Sequence, residues 1–240
     1  MAEKARLTGV PASHPVLAVQ LMLERKGIPY VRRDLPNGLQ RLLPVVGYKQ
    51  RTVPVLRIDG RRVQGSTQIA RVLDELVPRP ALFPAEQVKR RQVEELEAWA
   101  DVDLQDTVRK LGQWAAKQDP SALGPIAAAS DVPLPAGALR AAMPVLAPIV
   151  LAMFDIPRDR AKRAFEELPA GLERADVAIA DGVIGGEEPN AADFQVATSV
   201  RLATLIDELR PLLADRPSTA LAYRLAPNYP GRFTAPLGLG

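Results

Sequence analysis

The sequence has no cysteine and a single histidine, His14, among its 240 residues. The lack of cysteine excludes disulfide bonds, thiolate-ligated metals, a cysteine nucleophile and Cys-x-x-Cys redox chemistry. It also fits a reducing compartment, so we expect a cytoplasmic protein. Because one histidine cannot build a histidine-cluster metal site, we expect no metal cofactor, and a Ser-His-Asp triad would require His14 itself.

Long hydrophobic runs are also missing, and aromatic residues make up only 5% of the chain. The N-terminal MAEKARLTG lacks the apolar core of a signal peptide. The most apolar run, residues 141–154, contains Pro144 and Pro148 and is too short to span a bilayer. We therefore expect a buried helix or helix pair in this run, and no membrane partner.

The charge is nearly balanced, with 31 Lys and Arg residues against 28 Asp and Glu residues and a net charge of +3. This balance favours a mildly basic soluble protein, and we expect no nucleic-acid partner. The alternative, a nucleic-acid binder, requires a clustered basic face, which Arg32, Arg33, Arg61 and Arg62 could form.

What the sequence does contain is a clear succession of elements in residues 52–75, TVPVLRIDGRRVQGSTQIARVLDE. Residues 53–58 are typical of a strand, and Asp59-Gly60 predicts a tight hairpin turn into a return strand over 61–64. Ser66 is the predicted cap of a helix with apolar residues at helical spacing. Since proline donates no ladder hydrogen bond, we expect a cis Val53–Pro54 bond at the start of the strand; the alternative is a trans edge-strand proline.

The residues before this stretch predict a β-α-β unit. A weak strand over 6–10 precedes a helix that begins near Pro15, with Ser13 or His14 as the cap, and ends at Gly27. A second strand over 30–35 predicts a parallel crossover, and a short helix over 39–43 is expected to stop at Pro44. The order β-α-β-α-β-β-α is that of a thioredoxin-like α/β domain.

Strand signals vanish after a proline-rich connector at residues 77–84. We therefore predict a thioredoxin-like domain over 1–77, a linker over 78–85 and an all-helical domain over 86–240. Long helices are predicted over 86–116, 158–180 and 190–205, and Pro169 is expected to kink or split the second of them. Breaks are predicted at 119–120, 131–135 and 155–157, while residues 119–160 as a whole match no pattern.

Two motifs resemble the cytosolic glutathione S-transferase superfamily. Val53-Pro54, a hairpin and then Gly65-Ser66 at the start of a helix are similar to its glutathione-binding half. Residues 184–194, IGGEEPNAADF, resemble its glycine loop and Ser/Thr-x-x-Asp capping box, with Asn190 in the place of Ser or Thr and Asp193 in a structural role. The resemblance implies a thioredoxin-like domain followed by a helical domain, and a homodimer.

The resemblance also implies a site. Lys26-Gly27-Ile28-Pro29-Tyr30 is similar to the end of the family's first helix, which puts Ser13 at the catalytic position, where its hydroxyl would stabilise a thiolate. The alternative is that Ser13 only caps the helix. The thiol would be held by His14, Val53, Pro54, Gln64, Gly65 and Ser66. Trp99, Asp103 and Trp114 would line the acceptor pocket, on a helix that also carries Gln113. For His14 the alternative is an exposed loop residue, and for the two tryptophans it is core or dimer packing.

The implied function joins a low-molecular-weight thiol, glutathione or another, to a hydrophobic electrophile, or uses the thiol for isomerisation. Two departures from the family keep alternatives open. Helix one has Ala18 and Gln20 where an Arg or Lys is usual, and Gly65 replaces an acidic residue or Gln, with Gln64 one place early. The alternative is a non-catalytic binding or regulatory protein with the same fold.

Overall fold

The computed structural model describes residues 5–154 and 156–239. Residues 1–4, at the start of the predicted first domain, lie outside this range, as does Gly240 at the end of the second. Asp155, in the predicted break at 155–157, also lies outside it.

Within the described residues, four strands form one mixed sheet in the order β2-β1-β3-β4. Strands β1 and β2 are parallel, as predicted, while β1 with β3 and β3 with β4 are antiparallel. The strands are β1 (Ala5–Gly9), β2 (Tyr30–Asp34), β3 (Val55–Ile58) and β4 (Arg61–Gln64), and the helices are α1 (His14–Arg25) and α2 (Ser66–Leu76). This is the predicted thioredoxin-like arrangement.

The local signals of residues 52–75 are confirmed with two changes, which are the start of the strand, at Val55 instead of Val53, and the cap of α2. Asp59 and Gly60 both have positive φ, 45° and 73°, as a primed hairpin turn requires. The Val53–Pro54 bond is cis, and β3 begins one residue later, where its N–H groups join the ladder. The cap of α2, however, is Gly65 rather than Ser66, because Ser66 is already the first helical residue.

The segment after β2 differs from the expected short helix. It is a 3-10 helix, Leu39–Val46, that continues through Pro44 instead of stopping there. Its hydrogen bonds are short-range turns, such as Gly47 N–H to Pro44 C=O at 3.2 Å. The missing proline N–H therefore costs little here, and the segment ends at Gly47, where φ is +90°.

The C-terminal part of the described chain is helical. Its helices are α3 (Gln87–Trp99), α4 (Gln105–Gln118), α5 (Leu123–Ala128), α6 (Ala136–Ala152), α7 (Arg158–Ala180), α8 (Ala191–Ala203), α9 (Arg210–Leu213) and α10 (Pro217–Leu225). A π-helical turn, Ala100–Leu104, joins α3 to α4, and 3-10 turns lie at Pro120–Ala122 and Asp207–Leu209. None of the helices in residues 5–154 and 156–239 is both long and apolar enough to cross a bilayer.

Two expectations about helices that contain proline are revised. Of the kink or split expected at Pro169, the split is wrong, because α7 runs as one helix from Arg158 to Ala180. Helix α6 contains Pro144 and Pro148, yet it is not the buried helix that its apolar composition predicts, since Val145 is 74% exposed. Only one stripe of α6, formed by Leu139, Met143 and Ala147, is buried.

Helix α8 is the central element, because every residue from Ala191 to Ala203 is buried. The predicted capping box begins it. Asn190 accepts a hydrogen bond from the Ala192 N–H at 2.9 Å, and Asp193 accepts one from the Asn190 N–H at 2.8 Å. Asp193 also accepts the Gly185 N–H at 2.7 Å, so the glycine loop and the helix are fixed together.

Lys26 ties the linker to the first helix. Its side chain is fully buried, and its ammonium donates to Asp74 Oδ1 at 2.6 Å. It also donates to the carbonyl oxygens of Val77 at 2.6 Å and Pro80 at 2.7 Å. The three acceptors compensate the buried charge, and the connector is therefore held in one position beside α1 and α2.

Candidate functional site

A cavity of about 300 Å³ lies between the sheet domain and the helices. One wall consists of the turn before α1 and the segments 37–41 and 51–53. The opposite wall consists of α4, α5 and the end of α6, with Leu202 and Phe233 behind them. Of the residues predicted for the site, the cavity brings together Ser13, His14 and Val53.

Ser13 is the N-cap residue of α1, one of the two caps that the sequence predicts. It has φ −81° and ψ 110°, but its side chain forms no cap hydrogen bond. Ser13 is thus the cap by position, while its hydroxyl takes no part in capping. The hydroxyl is left for a ligand at a helix N-terminus, where negative charge is stabilised.

The turn before Ser13 is fixed from the C-terminal tail. Tyr229 donates from its hydroxyl to the Ala12 carbonyl at 2.6 Å, and the Ser13 N–H donates to Val10 C=O at 3.3 Å. Ala12 has a positive φ of 52°, which an alanine rarely adopts. Burial raises the pKa of Tyr229 well above its usual range, so the phenol remains a donor at neutral pH.

His14 is buried, with only 3% of its surface exposed, and the expectation of an exposed loop histidine is therefore wrong. Burial lowers its pKa to about 3, and the positive charge of Arg109 acts in the same direction. A hydrogen bond with the Gln105 backbone acts in the opposite direction. The imidazole is neutral at pH 7, so it is a poor cationic anchor, and its Nε2 has no partner among the described residues.

Val53 presents a backbone edge to the cavity. In residues 5–154 and 156–239 its N–H and C=O form no hydrogen bond, although Val53 lies only two residues before the start of β3. Gln64 holds the neighbouring loop by donating to the carbonyls of Gln50 and Thr52, both at 2.8 Å. The Gly65 N–H donates to Pro54 C=O at 3.0 Å. The residues on either side of Val53, Thr52 and Pro54, are thus both held by hydrogen bonds, and its own N–H and C=O remain available.

The side chains of Gln64 and Ser66 bond to protein groups, and these residues lie outside the cavity together with Pro54 and Gly65. Ser66 is buried, and its hydroxyl donates to Asp101 Oδ1 at 2.8 Å. Gly65 has φ +91° and ψ 138°, and a Cβ added to it would have no atom within 4 Å. The backbone conformation, rather than crowding, therefore explains the glycine where the family has a longer residue.

The three residues predicted for the acceptor pocket lie elsewhere. Trp99 packs under the guanidinium of Arg174 on α7, and the Cζ of Arg174 lies 4.5 Å from the centroid of the Trp99 ring. Trp114 donates from Nε1 to Leu237 C=O at 2.8 Å and so holds the C-terminal tail. Asp103 is exposed in a surface groove. For the tryptophans, these contacts agree with the alternative of structural packing.

The wall opposite Ser13 is instead formed mainly by residues that the sequence analysis did not assign. On α4 these are Arg109, Gly112 and Ala116, beside Gln113, which the resemblance had already placed on the acceptor helix. Their spacing of three and four residues places them on one face of α4, so the sequence pattern could have indicated that they lie on the same wall. Ile126, Met153 and Phe154 come from the region that matched no pattern, and no sequence signal indicated them.

The end of α6 closes the cavity against the sheet domain. A Cβ at Gly38 would overlap the Met153 side chain, so the glycine permits this close packing. Arg41 also donates to Met153 C=O at 3.3 Å. The lining includes three arginines, Arg41, Arg51 and Arg109, and no carboxylate among the described residues. Arg41 and Arg51 thus make the sheet-domain side of the cavity cationic, while Arg109 stands on the otherwise largely apolar wall of α4, α5 and α6.

The comparisons with known proteins agree with this architecture. Residues 7–81 match the family model of the glutathione S-transferase N-terminal domain. Residues 7–81 therefore form a domain of the glutathione S-transferase N-terminal type. No curated protein sequence matches the chain.

Solved structures align with the chain over almost its whole length. Glutathione transferase F7 from Populus trichocarpa has a TM-score of 0.64 at 13% identity, with 93% of this chain and 94% of that chain covered. The theta class glutathione S-transferase of Xanthomonas axonopodis pv. citri, with glutathione bound, has a TM-score of 0.62 at 16% identity, with 98% and 99% covered. A Methylobacterium radiotolerans glutathione S-transferase in complex with glutathione sulfonate has 0.61 at 17%, with 93% and 90% covered. At these identities the likeness establishes the fold.

Proposed function

We propose that the chain binds a low-molecular-weight thiol of the glutathione type and transfers it to a hydrophobic electrophile. The observation that carries this proposal is the arrangement of Ser13 and Val53 in one cavity. The hydroxyl of Ser13, which forms no capping hydrogen bond, lies at the N-terminus of α1 and lines the cavity. Val53, whose backbone N–H and C=O are free to pair with a ligand, lines the same cavity. That combination suits a thiol attached to a peptide-like carrier.

Ser13 would stabilise the charged form of the thiol. Its hydroxyl donates a hydrogen bond to the sulfur, the thiol proton leaves to solvent, and the N-terminus of α1 adds a favourable dipole. Each unit by which the thiol pKa falls corresponds to about 1.4 kcal/mol. The thiolate then forms a bond to carbon, and in a substitution a leaving group departs with its electron pair. In an addition, the π pair of the attacked double bond moves into the conjugated group, which then takes a proton from solvent.

The carrier of the thiol would bind along Val53 and the arginines. The free N–H and C=O of Val53 can pair with the amide groups of a tripeptide, as an added strand pairs with a sheet edge. Arg41 and Arg51 lie on the same side of the cavity and complement carboxylates. Two relatives with the same fold were solved with glutathione or glutathione sulfonate, which supports glutathione as the thiol.

The electrophile would occupy the apolar side of the cavity. Ile126, Met153, Phe154 and Phe233 line that side, and Gln113 and Arg109 supply polar groups on α4. The acceptor pocket is therefore proposed on the α4, α5 and α6 wall, opposite Ser13. We further propose a cytoplasmic homodimer, and the division into domains at residues 78–85 stays a prediction.

One observation favours the alternative of a non-catalytic binding protein. The side chains of Gln64 and Ser66, both predicted to hold the thiol, already bond to protein groups. A thiol would have fewer side-chain anchors beyond Val53, and binding without turnover would follow if the sulfur lay too far from Ser13.

Thermal unfolding with increasing glutathione tests the proposal. Binding to the native state raises the melting temperature by mass action, and γ-glutamylcysteine and cysteine are run as other thiols. An Arg51→Ala variant is expected to weaken the effect, whereas Arg91→Ala, an exposed residue on α3, is its matched control. If none of the three thiols raises the melting temperature of the wild-type protein, the proposed function is wrong. Binding without turnover of any activated aryl chloride would instead select the non-catalytic alternative.

A further inference from the structure

The charge of the chain is distributed unevenly. In residues 7–81 basic side chains outnumber acidic ones more than two to one, although the whole chain has 31 Lys and Arg against 28 Asp and Glu. The rest of the chain is therefore net acidic. A part of the molecule with such an excess attracts anionic surfaces, whatever the small net charge of the whole.

Part of the excess lies on the outer face of the sheet. The strand pairing places Arg6 opposite Val31 on one side and Arg57 on the other, and Arg57 opposite Arg62. Three arginines thus stand in one row across β1, β3 and β4, and all three are exposed. Arg33 on β2 is exposed two residues along from Val31, on the same face. We call Arg6, Arg33, Arg57 and Arg62 the arginine row.

The arginine row shares Arg33 and Arg62 with the basic face that the sequence suggested, while Arg32 and Arg61 are not part of it. Arg32 is paired with Asp34 at 2.9 Å, and Arg61 with Glu75 at 3.0 Å, so these two are satisfied within the fold. Among the described residues, no carboxylate pairs with Arg33, Arg57 or Arg62. Like charges directly opposite each other in an antiparallel pair are destabilising, so folding alone does not account for Arg57 opposite Arg62.

Exposed aliphatic side chains border the arginine row. Arg62 donates to Val46 C=O at 3.1 Å, which places the end of the 3-10 segment beside the row. In this segment Val45 is 82% exposed, Val46 59% and Leu42 57%. Single-stranded nucleic acids need aromatic side chains on which bases stack, whereas a lipid interface accepts aliphatic ones beside basic residues.

We infer that this face docks on an anionic phospholipid surface, with the arginine row against the headgroups and Val45 and Val46 at the acyl boundary. Charge complementarity selects the anionic lipid, and the aliphatic border selects a bilayer over a soluble polyanion. The sequence analysis expects no membrane partner because no run is long enough to span a bilayer, but surface contact needs no such run.

Vesicle co-sedimentation of the full chain tests this inference. We expect the protein to pellet with phosphatidylcholine vesicles that contain phosphatidylserine and not with pure phosphatidylcholine vesicles. Arg57→Glu is expected to lower the partition coefficient about 30-fold, because each basic charge near the surface contributes about fivefold and the reversal counts twice. Val45→Asp is also expected to weaken binding several-fold. The matched control Arg160→Glu reverses an exposed charge at the start of α7 and should leave binding unchanged.

Two results would overturn the inference. One is a wild-type protein that remains in the supernatant with phosphatidylserine vesicles at low salt. The other is sedimentation that Val45→Asp does not alter, together with binding of a single-stranded oligonucleotide that Arg57→Glu abolishes, which would assign the row to nucleic acid. Neither result bears on thiol binding, since the arginine row lies outside the cavity lining.

Discussion

Tyr229 donates a hydrogen bond of 2.6 Å to the Ala12 carbonyl and thereby connects the C-terminal tail to the turn that positions Ser13. The two residues are 217 positions apart in the sequence. Ala12 is held in the left-handed region, at φ 52°. The tail therefore stabilises a strained turn at the cavity rather than merely covering the helical domain.

Replacing Tyr229 by phenylalanine tests this relationship. Tyr229→Phe leaves the Ala12 carbonyl without its donor, and we expect a loss of about 1–3 kcal/mol in the free energy of unfolding. Chemical denaturation measures the loss. The control is Tyr223→Phe, since Tyr223 is 48% exposed. Equal stabilities of the two variants would show that the hydrogen bond to Ala12 contributes nothing.

The hydroxyl of Ser13 is expected to matter for turnover and not for folding. If it stabilises a bound thiolate, Ser13→Ala raises the pKa of the bound thiol by about one unit and lowers kcat/KM about tenfold at neutral pH. The pH dependence of kcat/KM with an activated aryl chloride measures both.

The matched control for Ser13→Ala is Ser130→Ala, whose hydroxyl donates to Ala127 C=O away from the cavity. Because Ser13 forms no cap hydrogen bond, its variant should unfold at the same denaturant concentration as the wild type. A variant with an unchanged pH profile would remove Ser13 from the mechanism.

Glu97 is expected to make stability depend on pH. Its side chain is fully buried, and burial raises its pKa from 4.5 to about 7, against the opposing effect of its ion pair with Arg71. The protonated carboxyl group of Glu97 is therefore more stable in the folded than in the unfolded state. Its contribution to the free energy of unfolding is complete below pH 4.5 and is lost as the pH rises towards 7. It amounts to up to about 3 kcal/mol.

The variant Glu97→Gln should remove this dependence. Relative to the wild type, it is expected to gain stability as the pH rises from 5 to 8, measured by denaturation at each pH. Glu94→Gln, on the same helix and partly exposed, is the control and should give parallel curves. Parallel curves for Glu97→Gln as well would show that the carboxyl group is ionised throughout.

Gly65 is expected to be intolerant of a side chain for backbone reasons alone. At φ +91° an alanine is strained, and Gly65→Ala should cost about 1–3 kcal/mol. No atom lies within 4 Å of the added Cβ, so steric overlap does not contribute. Gly186→Ala, which has equally open surroundings without a positive φ, is the control for the unfolding measurement. An equal effect of both changes would contradict the backbone explanation.

The parts of the structure that the sequence predicted correctly depend on neighbouring residues. The Asp59-Gly60 turn, the cis bond before Pro54 and the Asn190–Asp193 capping box each rest on a few adjacent positions. Local chemistry determines such features, and no distant contact changes them.

The parts that could not be predicted depend on tertiary packing. The burial of His14 depends on helices that lie much later in the sequence. Likewise, the hydroxyl of Ser66 donates its hydrogen bond to Asp101, which is distant from it in the sequence. Local rules end a helix at proline, yet α6 continues through Pro144 and Pro148. One wall of the candidate site comes from this region, which explains why the acceptor residues were placed elsewhere.

The buried ammonium of Lys26 has a consequence for how the connector can move. Since it bonds to Asp74 and to the carbonyls of Val77 and Pro80, moving the connector away from α1 and α2 would leave a buried cation without its acceptors. We therefore expect residues up to Pro80 to move with the sheet as one body, and any change in the width of the cavity to come from segments beyond Pro80.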